Sequence, residues 1–202
     1  LANGASGIII HYGKSKGSAE ELANEIIKAD VKVSLISANL ESPDEASDLI
    51  VRAWEMAGPI DVLINNAGIS MKALFEDADL DVFRKVMDVN FFGSVYCTKY
   101  AFPSLVRKQG MIVGISSLAG YRGLPGRSAY SASKFAMQGW LEALRTEMID
   151  KSVHVMWVSP GFTSSNIRKA ALNKNAEAEG HSSMNETTLM SAAECAEQIV
   201  QS

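Results

Sequence analysis

Ser117, Tyr130 and Lys134 are the residues of this 202-residue chain whose types and spacing could do chemistry together. They lie in the run GISSLAGYRGLPGRSAYSASKFAMQGWLEALRTEM. A hydroxyl, a phenol and an ammonium that meet at one oxygen can move a proton to or from a carbonyl or a carbinol. That is the proton half of a hydride transfer. A free phenol titrates at about pH 10 and is a poor acid or base at neutral pH. A neighbouring ammonium favours the phenolate and brings the group toward the working pH. Lys134 is therefore expected to lower the Tyr130 pKa. Ser117 is expected to donate to the substrate oxygen and hold it in place. A Tyr-x-x-x-Lys pair alone is also what an ordinary amphipathic helix carries, so the surrounding elements must decide.

Those elements are legible. Phe135, Met137, Trp140, Leu141, Leu144 and Met148 recur at near-helical intervals and predict a helix over 131–149. Tyr130 and Lys134, four apart at its entry, share a face, roughly 5–6 Å apart at Cβ. Met111–Ile115 is a short apolar run of strand type, and Ser116-Ser117 follows it. Open α/β sheets bind ligands beyond the carboxyl ends of their strands. Strand-like runs at 8–10, 31–36, 60–64, 111–115 and 153–158 alternate with helical patterns at 18–28, 43–57, 80–108 and 131–149. This alternation predicts an α/β, Rossmann-like, doubly wound parallel sheet with right-handed crossovers, in a single domain over 1–202.

Further motifs stand around the pair. Asn65-Asn66-Ala67-Gly68 follows the apolar run Ile60–Ile64, and Asn90 lies in Asp88-Val-Asn-Phe-Phe-Gly93. Pro160-Gly161 follows the strand-like Val153–Val158. A mid-helix asparagine is locally unfavourable, because its side chain competes for backbone hydrogen bonds. In this order and at these intervals, the motifs over residues 31–163 resemble the short-chain dehydrogenase/reductase family, its carbonyl and 3-oxoacyl reductases included. The resemblance implies four catalytic residues, Asn90, Ser117, Tyr130 and Lys134, with a proton relay from Tyr130 through Lys134 and a water to Asn90. It implies that Asn66, Ala67, Gly68, Pro160, Gly161 and Thr163 bind a nicotinamide cofactor, as do Tyr130 and Lys134. The function expected is an NAD(P)(H)-dependent oxidoreductase that moves hydride between cofactor and a small carbonyl or secondary alcohol. The alternative is a catalytically silent dinucleotide-binding or scaffold protein on the same fold.

The N-terminus departs from the pattern. Leu1-Ala-Asn-Gly-Ala-Ser-Gly7 resembles the start of the family's glycine-rich turn, with Asn3 in place of a threonine. The resemblance makes Gly4, Ser6 and Gly7 candidate pyrophosphate contacts. Yet Ile8-Ile-Ile-His-Tyr-Gly-Lys-Ser15 follows at once and resembles the second strand and its loop. Two parallel strands need a crossover of about a dozen residues or more, and none is written between Gly7 and Ile8. Either a segment belongs there, or the chain truly lacks it and the dinucleotide site is incomplete. Residues 166–190 are polar and irregular, where the family has its substrate lid.

Cofactor choice turns on the end of the run 8–12. An acidic residue there would take the ribose 2′-hydroxyl of NAD, and a basic one would accommodate the 2′-phosphate of NADP. Tyr12, Lys14 and Ser15 stand there, with no acidic residue until Glu20, so NADP(H) is expected over NAD(H). Asn39 and Leu40, after the next strand, would lie near the adenine. A net charge of −4 disfavours nucleic acid as a partner. No apolar stretch is long enough to span a membrane, and no signal peptide is visible, so a cytoplasmic location is expected. Cys97 and Cys195 lack metal-type spacing, so no metal site is expected and both are expected to be reduced. Phe91, Phe92, Val95, Phe135 and Trp140 spread over more than one helix face, which points to a homodimer or homotetramer.

Overall fold

The computed structural model describes residues 4–182 and 184–201; Asn3 lies outside them. The described residues form five strands: β1 (Gly7–Tyr12), β2 (Lys32–Ser37), β3 (Val62–Asn65), β4 (Met111–Ile115) and β5 (His154–Val158). Six α-helices accompany them: α1 (Lys16–Ile27), α2 (Pro43–Ala57), α3 (Leu80–Met87), α4 (Gly93–Lys108), α5 (Ser128–Glu147) and α6 (Ala192–Gln201). Every strand pair is parallel. The α/β alternation expected from the sequence is the alternation observed.

The sheet is divided, however. β1 pairs with β2, from Gly7 opposite Lys32 to Tyr12 opposite Ser37. Separately, β3, β4 and β5 form a three-stranded sheet in that order. No ladder joins β1 to β3. Gly7 and Ile8 are consecutive residues of one strand, so the glycines lead into a strand and not into a helix. The expected crossover is absent at this point. Val62 and Ile64 of β3 stay half exposed, at 51% and 59%. Leu63 instead packs on the core, and Asn65 Nδ2 donates to Thr98 Oγ1 of α4 at 3.0 Å. This is the period-two alternation of a strand with one face covered.

One helical layer serves both sheets. Helix α2 starts with Ser42, whose hydroxyl accepts from Glu45 N–H at 3.3 Å, and with Pro43 in the first turn, a favourable N-terminus. It ends at Gly58, whose φ of 78° few side chains tolerate. Leu49 and Ala53 of α2, Ala101 and Leu105 of α4, and Met137 and Leu141 of α5 share one core with Ile112 and Val155 of the sheet. Ile9 of β1 and Leu63 of β3 both pack against that core. The close approach of α5 to β4 depends on Gly114, where a Cβ would collide with Leu141 Cδ1.

The single helix expected over 80–108 is two helices joined by a π-turn, Asp88–Phe92. Gly93 N–H reaches back five residues to Asp88 O. The extra residue turns Asn90 fully inward, and the side-chain competition noted above becomes a bonded arrangement. π-bulges of this kind interrupt α-helices frequently at functional sites. Helix α5 begins at Ser128, three residues earlier than the apolar spacing suggested, so Tyr130 and Lys134 both lie within it. Among the described residues, no helix is long and apolar enough to cross a membrane.

Candidate active site

The carboxyl ends of β3, β4 and β5 open on one cavity of about 450 Å³. Ser117, Tyr130 and Lys134 line it together. Ser117 is extended (φ −166°) just beyond β4, and its Oγ accepts from Ala119 N–H at 3.1 Å to cap a short 3₁₀ turn. Lys134 is buried at 3% exposure and donates from Nζ to the Ile115 carbonyl at 2.7 Å. Its Nζ sits 5.8 Å from the centroid of the Tyr130 ring. Burial pushes the Lys134 ammonium down to about 8.

Tyr130 titrates above its ordinary value, because burial penalises the phenolate. Three groups oppose that rise: the Ser117 hydroxyl by hydrogen bonding, and the guanidinium charges of Arg127 and Arg168. This corrects the expectation that Lys134 lowers the phenol. The Lys134 ammonium is itself desolvated and engaged on Ile115 O, and the cations that favour the phenolate are the two arginines.

Asn90 is fully buried under this group. Its Oδ1 accepts from Ile69 N–H at 2.8 Å, and its Nδ2 donates to Ile69 O and to Ser133 Oγ, each at 2.9 Å. Ser133 Oγ donates in turn to the Tyr130 carbonyl at 2.8 Å. The π-turn is thereby bonded to the loop after β3 and to the helix that carries Tyr130. Gly68 lies between Asn90 and Lys134. A Cβ there would stand 3.2 Å from Asn90 Oδ1 and 3.6 Å from Lys134 Nζ. Glycine at this point of the Asn-Asn-Ala-Gly run therefore leaves room for both polar groups.

The candidate cofactor residues divide into two sets. Asn66, Gly68, Pro160, Gly161 and Thr163 line the same cavity as the triad, while Ala67 packs against the core beside them. Tyr12, Lys14 and Ser15 lie at the end of β1 and the start of α1, outside the cavity lining. Asn39 caps its own loop: its Oδ1 accepts from Glu41 N–H at 3.1 Å and its N–H donates to Glu45 at 2.7 Å. Leu40 is buried against Gly93. Gly4, with φ of 83°, and Ser6 are exposed, and Gly7 opens β1. None of these eight is brought to the cavity.

Two lining residues had no part in the expectation. Arg127 donates from Nη1 to Ser70 Oγ and to Met71 O, each at 2.7 Å. Arg168 pairs with Glu186 through two bonds of 2.7 and 2.6 Å and also donates to Thr163 O at 2.7 Å. Arg127 was findable, since it stands three residues before Tyr130, a helical neighbour. Arg168 and Glu186 are 18 residues apart in an irregular segment, and no local pattern announces them. The same segment is tied to the loop after β3 by Leu172 N–H on Ser70 O at 2.8 Å and by the Lys72–Glu179 pair at 3.1 Å.

Parallel strands, covering helices and a Ser-Tyr-Lys cluster at the strand ends define a dinucleotide-type α/β protein with a candidate proton-transfer site. The chain belongs to the short-chain dehydrogenase family, whose model matches residues 1–176. It is 37% identical over 196 residues to Dehydrogenase/reductase SDR family member 7B of Mus musculus, covering 95% of this chain and 61% of that protein. It is 33% identical over 180 residues to a 3-oxoacyl-(acyl-carrier-protein) reductase of Synechocystis sp., covering 88% of this chain and 72% of that one. Among solved structures, an alcohol dehydrogenase from the archaeon Thermococcus sibiricus, complexed with 5-hydroxy-NADP, superposes with a TM-score of 0.79 at 19% identity, covering 95% of this chain and 77% of its own. A blue fluorescent protein from a metagenomic library, in complex with NADPH, superposes with a TM-score of 0.76 at 27% identity, covering 82% and 68%.

Proposed function

We propose that this protein is an NADP(H)-dependent oxidoreductase that interconverts a small carbonyl compound and the corresponding secondary alcohol. The observation that carries the reading is the convergence of Ser117, Tyr130 and Lys134 on one cavity at the strand ends. The residues read as the nicotinamide end suit a flat ring: Gly68 offers no side chain, and Pro160 and Gly161 line the same cavity. When bound, the nicotinamide supplies the hydride chemistry. Everything else falls to the chain. Ser117 donates to the substrate oxygen and orients it. Tyr130 gives its proton to that oxygen in reduction and takes it back in oxidation. Lys134 holds its charge close to the Tyr130 ring, and Asn90 keeps both on a rigid support.

The preference for NADP(H) rests on Lys14 and Ser15, exposed at the end of β1 with no carboxylate between them and Glu20. The substrate is a small, largely apolar carbonyl compound, a reading supported by Leu124, Phe162 and Ile167 in the cavity wall. The protein acts as a homodimer or homotetramer. Phe92 and Phe135, 38% and 47% exposed on neighbouring helices, supply apolar surface for a symmetric contact.

One assay tests the function. NADPH and NADH oxidation is followed with a panel of ketones and 3-oxoacyl thioesters, for the wild type and for Tyr130→Phe. Turnover is expected, faster in kcat/KM with NADPH, and Tyr130→Phe should lower kcat by about 10²–10⁴-fold. NADPH binding without turnover across the panel, or full turnover in Tyr130→Phe, would overturn the reading.

A further inference from the structure

We propose that Arg127 is a positioning residue for Tyr130, clamping the loop after β3 to the first turn of α5 and fixing a permanent positive charge in the cavity beside the phenol. The inference rests on the reading of Tyr130 as the proton-transfer group, but it makes a claim that does not need turnover.

The geometry is specific. Arg127 is the residue immediately before α5, and its carbonyl accepts the helix's first bond, from Ser131 N–H at 2.8 Å. Its Nη1 reaches across to Ser70 Oγ and Met71 O, both 2.7 Å away. Ser70 and Met71 are themselves buried, at 2% and 0% exposure. Met71 returns the contact, its sulfur accepting from Ala129 N–H at 3.2 Å. The helix start and the loop are thus bonded in both directions, one residue to either side of Ser128. On the far side of Tyr130, the Asn90–Ser133 bond holds the next turn of the same helix to Ile69 of the same loop. Tyr130 is the residue between the two clamps.

Charge is the second half. Proton donation by a phenol leaves a phenolate, and a nearby fixed cation stabilises it. Arg127 has no carboxylate within ion-pair distance among the described residues, whereas Arg168 is matched by Glu186 and Lys72 by Glu179. Tyr130 faces a defined set of charges. Lys134 belongs to its own helix. Arg168, paired with Glu186, comes from the segment 162–190, and Glu179 of that segment acts on Arg127. Helix α3 turns Val82 and Val86 toward this cluster, with Asp81 and Arg84 exposed. Arginine suits the post, because a guanidinium stays charged even where burial makes charge costly. Arg127 is partly desolvated, and burial pulls its own pKa down.

The test is a titration of the cofactor-free protein. A fluorotyrosine is placed at position 130 alone, which brings the phenol's midpoint into a range where the protein is folded, and is followed by fluorine NMR. Arg127→Gln is expected to lower the ionisation constant by about threefold or more, a midpoint about half a pH unit higher. Arg127→Lys, which keeps the charge, is expected to stay within twofold of the parent. Ser70→Ala frees the guanidinium without deleting it and should move the midpoint the same way by a smaller step. The proposal is overturned if the midpoint of folded Arg127→Gln coincides with the parent, or, should that variant not fold, if that of Ser70→Ala does. An Arg127→Lys midpoint displaced as far as that of Arg127→Gln also overturns it. A missing turnover in the ketone assay counts against the proposed reaction and leaves this result standing.

Discussion

Lys134 shows what a buried ammonium costs a fold. Its ammonium is buried and held at about 8, against 10.5 for a free lysine. Between those two values the unfolded chain binds a proton that the folded chain does not, so stability rises with pH across the interval. Tyr130 works in the other direction: its raised phenol stays protonated in the fold after the unfolded chain has lost that proton, so stability falls once pH passes about 10. Thermal stability is therefore expected to climb from neutral pH into the window between about 8 and 10. The lysine contribution is at most about 3 kcal/mol, at about 1.4 kcal/mol per unit. Melting curves for the wild type and Lys134→Met, taken from pH 7 to 10, check this; a climb of equal size in the variant would refute it. The Ser-Tyr-Lys spacing was legible because a helix fixes which residues share a face. The electrostatics were not. Which cations favour the Tyr130 phenolate depends on where Lys134 finds an acceptor and on arginines outside the helix pattern.

At the scale of elements, the π-turn Asp88–Phe92 organises the site. One added residue in the ladder aims Asn90 at the loop after β3, and aromatic contacts hold the turn in place. Phe91 meets Trp140 of α5 edge-on at 6.2 Å, and Phe92 stacks on Tyr96 at 6.1 Å. Sequence spacing shows a continuous apolar stripe over 80–108 and gives no sign of the extra residue, since a π-turn shifts the stripe by a fraction of a turn. The Asn90 anomaly was visible, and its cause was not. Asn90→Ala should leave both backbone groups of Ile69 without partners. At about 1–3 kcal/mol for each unsatisfied buried group, the expected destabilisation for the two is about 2–6 kcal/mol, read from urea unfolding. A loss under about 0.5 kcal/mol would show that solvent replaces those bonds at no cost. A second tie between elements is Gln138 of α5, which donates to Ser116 Oγ at 2.7 Å and to Ser159 Oγ at 3.2 Å, and so locks the ends of β4 and β5 where the cavity opens. Gly120 makes room for it: a Cβ there would meet Gln138 Nε2 and Ser116 Oγ.

At the scale of the molecule, the residues proposed for catalysis and those proposed for cofactor binding are not gathered equally. The triad and the nicotinamide-side residues meet in one cavity. The residues read as adenine- and phosphate-side contacts stay apart from it. The alternation of strands and helices was fully legible, because period-two and 3.6-residue patterns are local. The division of the sheet was not legible as such, although its origin was: Gly7 passes directly into Ile8, and no crossover fills the interval. The chain spans 61% of the length of its mouse relative.

The divided sheet has a consequence for how the molecule opens. β1, β2 and α1 pack on one another, and among the other elements they meet chiefly α2. No ladder of backbone bonds would have to break for that unit to swing away from β3. It should behave as a separate cooperative unit whose opening costs less than global unfolding. Native-state hydrogen exchange is expected to resolve two classes of strand amide: those of Ile9–Tyr12 and Val33–Ser37 exchanging sooner, and those of Ile112–Ile115 and Val155–Val158 only with the whole fold. Equal protection in both sets would mean that the shared helical layer alone makes one cooperative body. If the classes separate, the edge of β3, with Val62 and Ile64 already bare, becomes the surface first offered to another polypeptide when the unit lifts. Self-association would then rise with the population of a partly open state, and not with that of the unfolded chain.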